Sequence, residues 1–85
     1  MIEELVERYI SNTQQAFKQV NRRSSHNEEA ERVLDHAKRY LEDAMYYSGQ
    51  KRFETALASV VYCEGLLDAL RLLGMVEFQW PTGTV

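Results

Sequence analysis

"YCEGLLDALRLLG", residues 62–74, closes the last helical segment of an 85-residue chain, and its reading decides the fold. On a wheel at 100° per residue, the segment from about residue 52 to 73 places Ala56, Val60, Cys63, Leu67 and Leu70 on one broad face. Phe53 and Leu57 lie along the edge of that face. Nearly opposite are Ala58, Val61, Tyr62, Gly65, Ala69 and Leu72, and only the strip of Glu64, Asp68 and Arg71 is distinctly polar. A helix apolar almost all round is normally buried. In a three-helix bundle, however, each helix touches two others and keeps a wet back. The second face also carries the small residues Ala58, Gly65 and Ala69, and a mid-helix glycine costs roughly 0.5–1 kcal/mol relative to alanine. Close packing against something is the compensation expected.

Outward from this segment, two more helices follow from period alone. Ile2, Leu5, Val6, Tyr9, Ile10, Thr13, Ala16, Phe17 and Val20 form one stripe, predicting a helix over about 2–22. Ala30, Val33, Leu34, Ala37, Tyr40, Leu41, Ala44 and Tyr47 predict another over about 28–48. Ser25 with Glu28 fits a capping box before it, and Asn27 is a competing cap. Its outer face pairs Glu28–Arg32, Asp35–Arg39, Lys38–Glu42 and Arg39–Asp43 four residues apart, as a solvated surface does. Gly49 and Gly74 are read as the residues that end the second and third helices. Short connections make successive helices antiparallel. The expected fold is all-α, an antiparallel up-down-up three-helix bundle over 1–74 followed by an extended apolar tail, 75–85. In that tail Val76, Phe78 and Trp80 alternate, so one side is apolar. It folds back over the third helix in the same chain, or helps a second chain cover it.

The charge balance excludes several functions. The formal net charge is −3 and the pI about 5.3. Residues 1–21 hold two bases against three acids, 22–48 five against six, and 49–85 three against four. With no basic arm or polybasic patch, no nucleic acid and no membrane surface is expected as a partner. One cysteine makes neither an internal disulfide nor a thiolate metal site. "MIEELVERYI" has three acids among its first seven residues, unlike a signal peptide, and no apolar run approaches the roughly 20 residues that span a bilayer. A cytoplasmic protein without cofactor is expected.

No HExxH, glycine-rich phosphate loop, GxSxG elbow or CxxC pair is present, so no catalytic or metal residue is assigned. Glu64 and Asp68 share a face, but Arg71, three residues on, is the simpler partner for Asp68. Cys63 falls on the core face as an inert thiol, and His36 at the margin of the second helix's stripe. Arg22, Arg23, His26 and Arg71 come to one pole of an antiparallel bundle and form a candidate anion site, for a small ligand or nucleotide phosphate. The leading expectation is an interaction module. Its surface is Ala58, Tyr62, Gly65, Ala69 and Leu72 with Val76, Phe78 and Trp80 of the tail, and it binds a second copy, as a homodimer, or another protein.

One stretch also carries a likeness. Over about residues 30–76, "YLEDAMYYSGQKRFETALASVVYCEGLLDALRLLG" resembles the small archaeal proteins grouped as domain of unknown function 357. The likeness rests on Tyr46 and Tyr47, on Ala56 and Leu57, on the run Tyr62, Glu64 through Arg71, and on Leu73–Gly74. It implies a cytosolic helical protein and brings no activity and no catalytic residues with it.

Overall fold

The computed structural model describes residues 1–22 and 27–81. Three helices, α1 (Ile2–Gln19), α2 (Glu28–Gly49) and α3 (Phe53–Leu72), form the expected up-down-up bundle. Two short strands, β1 (Asn21–Arg22) and β2 (Val76–Glu77), pair antiparallel at one end, with Asn21 opposite Glu77 and Arg22 opposite Val76.

The apolar periods become the core. Val6, Ile10, Thr13 and Ala16 of α1, Ala30, Leu34, Ala37, Leu41 and Ala44 of α2, and Ala56, Val60, Cys63, Leu67 and Leu70 of α3 are buried. Ala30, Ala37 and Ala44 recur every seventh residue, which lets the α2 backbone approach its neighbour closely. The α2–α3 pair is accordingly the most extensive helix contact, and α1 and α2 meet least. Thr13 is wholly buried, and its hydroxyl donates to the Tyr9 carbonyl at 2.7 Å, so its burial leaves no orphaned donor.

Helix ends show where local reading succeeded and where it did not. Asn27, in extended conformation, caps α2 by accepting from the Ala30 N–H at 3.0 Å. Ser25, the other cap considered, lies outside the described residues. At the end of α3, Gly74 (φ 75°) is left-handed. Its N–H donates to Arg71 O and that of Met75 to Leu70 O, both at 3.0 Å, the reciprocal pair of a Schellman motif. The same motif ends α2, but its left-handed residue is Lys51 (φ 61°), not Gly49, which remains helical. The Lys51 N–H donates to Ser48 O and the Arg52 N–H to Tyr47 O. Helix α1 also stops three residues before the expected boundary at 22. Val20 turns to extended geometry (ψ 122°) because Asn21 and Arg22 find backbone partners in the tail, a competitor that lies more than fifty residues away.

Candidate functional site

The tail does fold back on its own chain, but on an unexpected side of α3. Val76 and Phe78 are buried in the core at 1% and 6% exposure, while Glu77 and Gln79 between them face solvent, the alternation of an extended segment. The Gln79 N–H donates to Gln19 Oε1 at 3.4 Å, Asn27 Nδ2 to Met75 Sδ at 3.7 Å, and the Phe78 and Trp80 rings meet edge to face at 4.9 Å. Trp80 Nε1–H then donates to Asp68 Oδ1 at 2.8 Å. The tail therefore lies along the flank of α3 that carries its polar strip. Val76 and Phe78 do not belong to an exposed interaction surface, because the core already holds them; Trp80 is half-buried at the edge of that strip.

Electrostatics on this flank follow from the tail. Asp68 accepts from Trp80 and, at 2.9 Å, from Arg71 Nε, the three-apart pair expected. Donation by the indole, followed by that from Arg71, holds the Asp68 carboxyl below its usual value against the opposing effect of burial. Glu64, one turn earlier, gains no such partner. Its Oε2 is shielded from solvent without a hydrogen bond among the described residues, and burial, with Asp68 nearby, pushes its carboxyl up. Cys63 is fully buried, and burial first, then Glu64, pushes its thiol up to about 12. A thiol so hard to ionise is no nucleophile at neutral pH. Among the described residues no group of His, Cys, Asp and Glu could hold a metal ion.

The anion site is only partly within view. Arg23 and His26 lie outside the described residues. Arg22 donates through Nε and Nη2 to the two carboxylate oxygens of Glu31, the second at 2.9 Å, and Arg71 is engaged by Asp68. Both described guanidinium groups thus already carry a carboxylate partner. Beside Arg22, a groove of about 580 Å³ opens between α1 and α2, floored by Phe17, Val20, Leu34 and Leu41 and rimmed by charges of both signs.

The other side of α3 is bare. Ala58, Val61, Tyr62, Gly65, Ala69 and Leu72 are all exposed, together with Leu73 at the end of the row. Leu72 and Leu73 stand 72% and 70% open, and Val61 and Tyr62 both 47%. Tyr62 is nonetheless held in place: its ring lies 4.5 Å from that of Tyr40, and His36 sits edge-on to both at 5.1 and 6.1 Å. His36 is thus an exposed member of an aromatic cluster on the α2–α3 seam, an arrangement between helices that period alone did not reveal. A Cβ built on Gly65 meets no atom within 4 Å, so nothing among the described residues requires glycine there.

No helix among the described residues is long and apolar enough to cross a membrane. No curated protein and no solved structure matches the chain. One family model does, over residues 8–76, a span that takes in most of α1, all of α2 and α3, and the first residue of β2. The match thus covers most of the three-helix unit, and the chain belongs to the family described as Protein of unknown function (DUF357).

Proposed function

We propose that this protein is a small non-catalytic interaction module that docks another protein surface against the outer face of α3. One observation carries the reading: Ala58, Val61, Tyr62, Gly65, Ala69, Leu72 and Leu73 remain exposed even after the tail has folded onto the neighbouring polar strip. Among the described residues, the tail turns instead toward Asp68 through Trp80 and leaves this row uncovered. Single exposed apolar side chains are ordinary on soluble proteins, but a contiguous row of this kind marks contact with a partner. Tyr62 adds a large side chain already ordered by Tyr40 and His36, the type of residue that anchors interfaces. Among the described residues of the candidate anion site, exposed Arg22 and half-buried Arg71 are both engaged by carboxylates, which gives an anion-binding function less support.

The test is photo-crosslinking in the cells that make the protein, with benzoylphenylalanine at Leu72 and, as a control, at Tyr46 on α2, which is also well exposed. A discrete protein adduct from position 72, absent from position 46 and lost on Gly65→Leu, is the expected result. Equal labelling from both positions would refute the reading.

A further inference from the structure

We propose that the occupant of the outer α3 face is a second copy of this chain, packed antiparallel about a two-fold axis that passes Gly65. The inference rests on the interaction reading above and deepens it by naming the partner. Its warrant is the symmetry of the row about its own centre. Ala58 and Leu72 stand seven residues before and after Gly65, the repeat that keeps one seam of a helix against a neighbour crossing at about 20°. Tyr62 stands three before and Ala69 four after.

In an antiparallel pair centred on Gly65, positions equidistant from it on opposite sides meet. Leu72 of each copy then lies over Ala58 of the other, at both ends of the contact. Tyr62 lies beside Ala69, and Gly65 meets Gly65 where the backbones come closest. Leu72 and Tyr62 thus each face a small residue, while Val61 falls beside Asp68 of the other copy. A parallel pair sets Leu72 on Leu72, which holds the helices apart, and leaves gaps at Ala58 and Gly65. An isologous two-fold interface needs this kind of self-complementarity, with Leu72 over Ala58 at both ends.

The same arrangement accounts for Gly65. Its hydrogen faces open space in the single chain, yet the position forgoes the helix propensity of alanine. Between two copies the missing Cβ permits an interaxial distance near the lower end of the usual ~8–10 Å range. From Ala58 to Leu72 the row is about 21 Å long at 1.5 Å per residue. Covering it with its flanking Tyr62 and Leu73 buries on the order of 500 Å² per copy, roughly 1,000 Å² in total, which meets the lower bound for a specific interface. The pair is therefore a concentration-dependent dimer rather than an inseparable one.

Sedimentation of the purified full chain from about 5 to about 500 µM reads the equilibrium directly. The wild type shifts from monomer toward dimer, and Gly65→Leu weakens the dimer at least tenfold. Because a Cβ at 65 meets no described atom within 4 Å and the helix penalty of glycine is relieved, that variant keeps its helicity and unfolds at no lower temperature than the wild-type monomer, which separates lost pairing from lost folding. Orientation is read by mixing Ala58→Cys and Leu72→Cys chains under a mild oxidant; buried Cys63 does not compete. Mixed 58–72 disulfides should exceed like-with-like products about tenfold. A wild type that is monomeric throughout the range overturns self-pairing, and predominant 58–58 and 72–72 products overturn the antiparallel arrangement. If Leu72 crosslinks a different protein in cells while the purified chain stays monomeric, self-pairing fails and the interaction reading stands.

Discussion

Replacing Trp80 with phenylalanine isolates the side-chain hydrogen bond from the tail to Asp68 of α3. The ring edge toward Phe78 is largely kept, and the N–H that reaches Asp68 Oδ1 at 2.8 Å is removed. A hydrogen bond to a charged group contributes about 1.5–3 kcal/mol when buried. The Asp68 side chain is 37% exposed, so screening by water reduces this to about 1 kcal/mol. The smaller ring gives up roughly 20 Å² of half-buried apolar contact, about 0.5 kcal/mol at ~25 cal/mol per Å². The sum, about 1–1.5 kcal/mol, lowers the thermal midpoint by roughly 5–10 °C for a domain of this size. Urea unfolding followed by far-ultraviolet circular dichroism measures it, since Trp80 is the only tryptophan and its fluorescence leaves with it.

The pH dependence supplies the sharper check. Asp68 is held below its ordinary 3.8, first by Trp80, so its contribution is fully present above that value and is lost as pH falls through the lower folded one. The gap between wild type and variant should be constant from neutral pH down to about 5 and should narrow below about 4, leaving only the ring-area part. Equal stability at neutral pH, or a gap that does not narrow in acid, would refute the argument that the indole holds Asp68 in its charged form.

Three further outcomes follow from single positions. Lys51→Gly removes a side chain from a left-handed residue and should raise stability by about 0.5–1 kcal/mol, read as a higher urea midpoint with unchanged slope. Glu64→Gln removes a carboxylate whose burial favours the protonated form. Wild-type stability should decline as pH rises from the ordinary 4.5 through the raised folded value, while the variant stays flat across that window and gains up to about 1 kcal/mol at neutral pH. Cys63 should react with a thiol reagent only through opening of the core, at a rate that follows unfolding in urea; rapid labelling of the native protein would contradict its full burial.

What could be read along the chain was local. The 3.6-residue period settled three helices, their core faces and their up-down-up order, because short connections leave antiparallel neighbours as the compact solution. The Asn27 cap, the Gly74 terminus, the Asp68–Arg71 pair and the buried Cys63 were equally legible, each depending on partners within a few residues. The tail's alternation predicted an apolar side and did not say which flank of α3 would receive it. That was decided by contacts across long separations: Trp80 to Asp68, Gln79 to Gln19, and β2 to β1, which also shortened α1. Gly49 and Lys51 make the same point at a helix end, where the junction with α3 set which residue turned left-handed. The proposed interaction face was legible as a composition, small and apolar residues at helical spacing, but sequence alone joined it to Val76 and Phe78. Only the folded chain separated them, because the core took those two side chains on one side of α3 and left Gly65 open on the other.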